Sequence, residues 1–287
     1  MTTIGILSPG AMGSALGRAW QAGGARVVTT VSGRSARTQA LARGLELLPG
    51  LGDVVEASDI VISVGPPALA LTMASAIAAS SMERDHAPVV ADLNAVAPST
   101  MQLVAAALRP AGCPVLDGAI SGGPPDPAGS TTLYLSGPDA HLLAGLDAPG
   151  LTRVVVGPEL GSASAVKMCT ASMYKGLTGL LLQALATAQF HNVTAIVLDD
   201  LRGEFGALID GAAARLASAA AKSDRFPGEM REIALTQSAA GLRPELFEAM
   251  AQVFELAHRS QLGTHSPEQA AGSSDLDAVL AELRSAR

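Results

Sequence analysis

The stretch "GILSPGAMGSALG", residues 5–17, decides the fold. It overlaps a short β-rich run, "TIGIL", and leads into an Ala- and Leu-rich helical pattern, the strand–turn–helix order of a dinucleotide-binding turn. Such a turn needs a tight bend, a glycine that lets backbone approach a pyrophosphate, and a helix whose first amides face the anion. Gly10 stands at the close-approach position and Gly13 where helix and sheet must pack closely, but Ser8 occupies the place of the first glycine. A Ser8–Pro9 pair can make the same bend, because proline fixes its own φ and biases the preceding residue towards extended backbone. The Ser8 hydroxyl is then available to a phosphate.

The alternation continues through "ARVVTTV", "DIVISVG", "PVVADLN" and "PVLDGAI", separated by Ala- and Leu-rich segments, which is the rhythm of βαβ units and a parallel sheet. "TTLYLSG" and "RVVVG", after the Gly/Pro-rich "SGGPPDPAGS", are expected to extend that sheet. From Ser162 onward apolar residues recur at helical spacing, and "RFPG" and "GLRP" separate helices. The fold class is therefore α/β: a Rossmann doubly wound sheet over residues 1–160, followed by an all-α domain over residues 161–287. The polar "THSPEQAAGSSDLD" reads as a loosely held tail before a short helix.

Composition narrows the function. Apolar residues make up 48% of the chain and charged ones 16%, which describes a core-rich folded protein. A formal net charge of -7 argues against nucleic-acid binding, which needs clustered Lys and Arg. Cys113 and Cys169 are far apart, without the spacing of zinc or redox sites, and fit a reduced cytoplasmic setting. "MTTIGIL" carries no basic leader, so no secretory signal is expected. The apolar residues 177–198 are interrupted by Gln183, Gln189, His191 and Asn192, and read as a buried helix between domains rather than a membrane span. The histidines form no H-E-x-x-H cluster, and Asp199–Asp200 reads as a helix start, so no metal is expected.

Charge patterning points to the cofactor. In the usual NAD-binding unit an acid about 20 residues after the glycines holds the adenosine ribose. Here no Asp or Glu occurs between Met1 and Leu45, whereas Arg18, Arg26, Arg34, Arg37 and Arg43 do. "TVSGRSART" places Ser32, Arg34 and Ser35 where a ribose 2′-phosphate would lie, with Arg37 nearby, the chemistry of NADP(H). The same missing acid weighs against S-adenosylmethionine. The competing reading is a solvated arginine face.

Three later segments complete the pattern: "VADLNAVAPST", "DGAISGGPP" and "GSASAVKMCTASMYKG". With "GAMG" they resemble the β-hydroxyacid dehydrogenase superfamily, which includes 3-hydroxyisobutyrate and 6-phosphogluconate dehydrogenases. "EMREIA" and "YKG" resemble its branch with a short C-terminal helical domain. The likeness covers essentially the whole chain. It implies that Ser8, Gly10, Ala11, Met12, Gly13, Val64, Gly65 and Asn94 bind the cofactor, and that Ser121, Gly122 and Gly123 hold a substrate carboxylate. It also implies that Lys167 is the general acid/base and that the protein is a homodimer. A Ser-Gly-Gly turn exposes backbone amides to an anion, and an enclosed lysine beside a cationic nicotinamide can lose and regain a proton. The bland alternatives are a plain loop and a snorkelling lysine, but Lys167 is isolated among Ala165, Val166, Met168 and Cys169. The family's asparagine one turn after the lysine is Ala171 here; Thr170 and Tyr174, on the same helix face, could replace it, and Tyr174 could donate a proton.

The expected activity is hydride transfer between NADP(H) and a carbonyl or alcohol carbon of a small molecule, probed against an imine reductase and a non-catalytic NADP(H)-binding redox sensor as alternatives. Retained Lys167 weighs against both, while Tyr174 keeps the imine reading open. "SAVK" matches Ser-x-x-Lys without the hydrolase context that an acylating serine needs.

Overall fold

The computed structural model describes residues 1–125, 129 and 131–284, with the side chains of 267 and 268 outside the description. The chain divides into two compact units, Met1–Met168 and Cys169–Arg287. The strands are β1 (Thr3–Ile6), β2 (Arg26–Thr29), β3 (Glu46–Leu47), β4 (Ile60–Ser63), β5 (Val89–Asp92), β6 (Val115–Ser121), β7 (Thr131–Ser136) and β8 (Leu151–Gly157). Helices α1 (Ala11–Ala22), α2 (Ala36–Leu41), α3 (Leu51–Ala57), α4 (Ala70–Arg84), α5 (Pro98–Leu108) and α6 (Ala140–Ala144) lie in the first unit. The division falls inside α7 (Ser162–Phe190). The second unit continues with α8 (Thr194–Asp210), α9 (Ala212–Ala220), α10 (Phe226–Ala239), α11 (Glu245–Arg259), α12 (Pro267–Ala271) and α13 (Leu276–Arg284).

Strand order in the sheet is β3-β2-β1-β4-β5-β6-β7-β8. Pairing is parallel from β3 to β6, turns antiparallel between β6 and β7, and is parallel again between β7 and β8. The chain leaves β1 towards β2 on one side and returns to β4 on the other. The carboxyl ends of β1 and β4 therefore flank the topological switch point, where open α/β sheets bind their ligands.

Helices on both faces explain the continuous apolar strands. Ile4, Ile6, Val27 and Ile62 pack with Leu16 and Trp20 of α1. Val28, Val61 and Val90 face the other way, onto Val54 of α3, Ile77 of α4 and Met101 of α5. In the second unit α9 buries Leu216, α10 buries Met230 and Ile233, and α11 buries Phe247, Met250 and Phe254. Phe226 meets Phe254 edge-on at 5.1 Å.

Three expectations change, and the contact division can be set beside a fourth. The division into compact units falls between Met168 and Cys169, and the first turns of α7 count with the sheet to which they are hydrogen-bonded, as described below. Residues 177–198 are not one helix: α7 ends at Phe190, Asn192 takes a left-handed φ of 57°, and α8 begins at Thr194. Asp199–Asp200 consequently lies inside α8 rather than at a helix start. The polar C-terminal segment is ordered by a capping box in which Ser266 and Gln269 each accept a backbone amide of the other, starting α12. Among the described residues, no helix is long and apolar enough to cross a membrane.

Candidate active site

The glycine turn follows β1. The Gly10 amide donates to the Ser8 carbonyl at 2.8 Å, so Ser8 and Pro9 close the bend without the first glycine. The buried Ser14 hydroxyl donates to the Pro9 carbonyl at 2.6 Å and fixes the turn to α1. Gly13 is required sterically, since a Cβ there would lie 2.1 Å from the Ser8 carbonyl oxygen. A Cβ at Gly10 would meet nothing within 4 Å, which leaves backbone open to a ligand, and no side chain caps α1 at Gly10. These features fit a dinucleotide pyrophosphate: an uncapped helix N-terminus, close backbone access and no acid in the first turn. Ala11 is exposed and Met12 half-buried against the core.

Two further loops meet this turn. A Cβ at Gly65 would sit 3.9 Å from both Ser8 Oγ and Asn94 Oδ1. The Gly65 amide donates to Asn94 Oδ1 at 2.6 Å, while Asn94 Nδ2 donates to Ser63 Oγ at 3.0 Å and to Asp92 Oδ2 at 2.8 Å. Both amide protons of Asn94 are engaged inside the protein. Asn94 thus ties the loop at Gly65 to the ends of β4 and β5. Burial pushes the Asp92 carboxyl up to about 6, against the lowering effect of the Asn94 hydrogen bonds.

Arg34 reaches back over the same turn, with Nη2 donating to the Leu7 carbonyl at 3.1 Å and lying 3.5 Å from Ser8 Oγ. Ser35 caps α2 by accepting from the Thr38 amide, and Ser32 and Arg37 are exposed. Ser8, Gly10, Gly13, Arg34, Gly65 and Asn94 are thus brought together from distant parts of the chain.

β6, the neighbour of β5 in the sheet, ends at Ser121 and runs into Gly122-Gly123. Gly122 has φ +105°, closed to most side chains, and a Cβ at Gly123 would meet nothing within 4 Å. The Thr131 hydroxyl donates to the Gly123 carbonyl at 2.8 Å and steadies the turn. Lys167 Nζ donates to the Ile120 carbonyl at 2.7 Å, which sets the half-buried ammonium next to Ser121.

What aims Lys167 is a residue that the motif reading left without a role. Asp117 is fully buried in β6. Its Oδ2 accepts from the Gly161 amide (3.1 Å), the Ser164 amide (2.9 Å) and the Ser136 hydroxyl (3.0 Å), and its Oδ1 accepts from the Ser164 hydroxyl (2.6 Å). A carboxylate supplied by the sheet therefore caps α7 and compensates its N-terminal dipole. An acid within "PVLDGAI" is the only signal for this in the sequence. Thr170 is half-buried and Tyr174 exposed, both on the part of α7 that belongs to the second unit, and Ala171 is buried there.

Residues 3–144 match the family model for the NAD binding domain of 6-phosphogluconate dehydrogenase, and residues 188–257 match a domain of unknown function, DUF1932. The chain thus joins an NAD binding domain of the 6-phosphogluconate dehydrogenase kind to a DUF1932 domain. Among solved structures it is similar to a conserved protein of unknown function described as structurally similar to 3-hydroxyacid dehydrogenases (27% identity over 89% of this chain and 96% of that one, TM-score 0.65). It is also similar to a conserved hypothetical protein from Sinorhizobium meliloti (26% identity, 99% and 97% coverage, TM-score 0.64). The fold is shared with 3-hydroxyisobutyrate dehydrogenase of Mycobacterium tuberculosis (18% identity, 99% of each chain, TM-score 0.66). No curated protein matches the chain. The first of these matches identifies an NAD-binding domain over residues 3–144.

Proposed function

We propose that the protein is an NADP(H)-dependent dehydrogenase or reductase that acts on a carbonyl or alcohol carbon of a small, carboxylate-bearing molecule, with Lys167 as general acid/base. The observation that carries this reading is the 2.7 Å contact between Lys167 Nζ and the Ile120 carbonyl, which sets a proton-bearing group beside the Ser121-Gly122-Gly123 turn. The cofactor, when bound, supplies or accepts the hydride. Reduction then leaves a substrate oxygen that needs a proton, which Lys167 gives; oxidation returns that proton to Lys167. The Ser121 hydroxyl and the amides of Gly122 and Gly123 hold the substrate carboxylate. The test is a panel of 2-oxo acids, aldehydes and cyclic imines followed by NADPH absorbance; absence of turnover on every oxo compound with turnover on an imine would replace the carbonyl reading.

Arg34 supports the choice of NADP(H), because its guanidinium is held over the glycine turn in a stretch without acids. A charge-assisted phosphate contact contributes about 1.5–3 kcal/mol, so NADPH is expected to bind at least about tenfold more tightly than NADH. Arg34→Ala should remove most of that difference in a fluorescence titration. Equal affinities in the wild type would reverse the assignment.

The homodimer proposal is supported by large apolar side chains that the second unit leaves exposed, among them Leu180 (57%), Phe190 (66%) and Ile196 (73%). Light scattering should give twice the 28.9 kDa chain mass at micromolar concentration, and Ile196→Glu should shift it towards the monomer. A monomeric wild type would contradict the proposal.

A further inference from the structure

One buried carboxylate takes no part in the chemistry proposed for Lys167. Asp92, the last residue of β5, is 1% exposed. Val90, two residues earlier on the same face of the strand, packs with Ile77 of α4 and Met101 of α5, so Asp92 points towards the same apolar layer. α5 carries no charged residue, and those of α4, Glu83 and Arg84, stand in its last turn. In the sheet, Ser63 of β4 and Asp117 of β6 are the register partners of Asp92. The first turn of α7, which meets Asp117, brings only serines and alanines. Asp117 is thus the charged group that acts on Asp92.

The Asp92 carboxylate works on one residue. Its Oδ1 accepts the Asn94 backbone N–H at 3.0 Å and its Oδ2 accepts Asn94 Nδ2 at 2.8 Å. Ser63 Oγ accepts from the same Nδ2 at 3.0 Å and is itself hydrogen-bonded to the carboxylate. Acceptors so placed fix which end of the Asn94 amide faces them. Turned through half a rotation, Asn94 would set Oδ1 against the Asp92 oxygen and Nδ2 against the Gly65 N–H, two mismatches at once. With Nδ2 held by Asp92 and Ser63, Oδ1 is left to accept from the Gly65 amide at 2.6 Å. Gly65 is where the loop after β4 approaches the glycine turn, a Cβ there lying 3.9 Å from Ser8 Oγ. The acid on β5 therefore reaches that turn through Asn94 and Gly65.

We propose that Asp92 is a positioning residue for the dinucleotide, acting through Asn94 to hold the Gly65 loop against the glycine turn, and that a proton on Asp92 weakens cofactor binding. The inference rests on the reading of that turn as the cofactor site. A protonated Asp92 turns one of its two acceptor oxygens into an O–H that faces the Asn94 donors, so the amide loses part of what orients it. Burial, with the charge of Asp117 added, holds the Asp92 carboxyl up at about 6, despite the hydrogen bonds from Asn94 and Ser63. Because the ionised form binds better, affinity is full above that value and is lost as pH falls through it.

Fluorescence titration of the full chain with NADPH and with NADH, from about pH 7.5 down to about pH 5, tests this for wild type, Asp92→Asn, Asn94→Ala and the double variant. Asn imitates the protonated acid. At the upper pH, Asp92→Asn should bind about tenfold more weakly than wild type, since a charge-assisted acceptor is lost. At the lower pH the two should differ by about twofold or less. Taking the ratio at each pH cancels the titration of the cofactor's own 2′-phosphate, a phosphate monoester that titrates in the same range. The double variant should bind no more weakly than Asn94→Ala, whereas a merely structural Asp92 would add its loss to that of Asn94. Where Asp92→Asn does not fold, as the fluorescence of the buried Trp20 reports, the ratio of wild type to Asn94→Ala takes its place and should shrink in the same way with falling pH. Ratios that stay constant over the range, or losses that add, would overturn the proposal. A wild type that prefers NADH would reverse the cofactor assignment alone, the ratios then being read with NADH; a wild type that binds neither dinucleotide would remove both readings.

Discussion

Lys167→Ala is expected to bind NADPH as tightly as the wild type while its turnover on a confirmed substrate falls by about 10² to 10⁴, the usual contribution of a positioned acid/base group. The two effects separate because they rest on different residues. In the proposed reading, affinity for the cofactor rests on the Ser8–Gly13 turn and Arg34, whereas Lys167 stands at the Ile120 carbonyl beside the Ser121-Gly122-Gly123 turn. Lys167→Arg sharpens the test, since a guanidinium keeps the positive charge but does not release its proton near neutral pH. If positive charge alone were the contribution, the arginine variant would recover most of the rate; if proton transfer is, both variants should be equally slow. Full turnover by Lys167→Ala would demote the lysine to a structural residue, make Tyr174 the leading donor and favour a C=N substrate, because an iminium already carries its proton.

How much of this was legible in the sequence depends on how local each feature is. The β1–turn–α1 unit was readable because strand, Ser8–Pro9 bend, Gly10 and Gly13 all fall within one short segment whose geometry is dictated by neighbours in sequence. The strands after it were readable because burial on both faces makes them continuous apolar runs. β3 was not: its two residues, Glu46 and Leu47, are both exposed, so neither alternation nor hydrophobicity marks them. The Ser266–Gln269 capping box carries a signal in sequence, but its polar surroundings obscured it. The engagement of Asn94 with Gly65, Ser63 and Asp92 was not legible, because those contacts depend on β4 and β5 pairing in one register.

Asp117 shows that non-local dependence most strongly, and its removal should have the largest effect on stability. Asp117→Ala is expected to destabilise the first unit by about 3–5 kcal/mol, since each buried donor left without an acceptor costs about 1–3 kcal/mol. The amides of Gly161 and Ser164 and the Ser164 hydroxyl would all lose their acceptor, and α7 would lose the negative charge at its N-terminus. The Ser136 hydroxyl, which donates to Asp117, still accepts from the Ala163 amide at 2.9 Å, so one of the α7 contacts would survive the change. Asp117→Asn keeps the shape but replaces one acceptor oxygen by an NH₂ that faces donors, so it should recover only part of the loss. Trp20, the single tryptophan, is fully buried in the first unit and reports its denaturation by fluorescence. In that measurement a Asp117→Ala midpoint within about 1 kcal/mol of wild type would mean that the first turn of α7 does not depend on this carboxylate. A large loss would instead tie the position of Lys167, two turns into α7, to an acid on β6 far earlier in the chain. The same strand then supplies both the cap that starts the helix and, at Ile120, the carbonyl that receives its lysine, so the acid would set where the proton donor stands without itself touching a reacting atom.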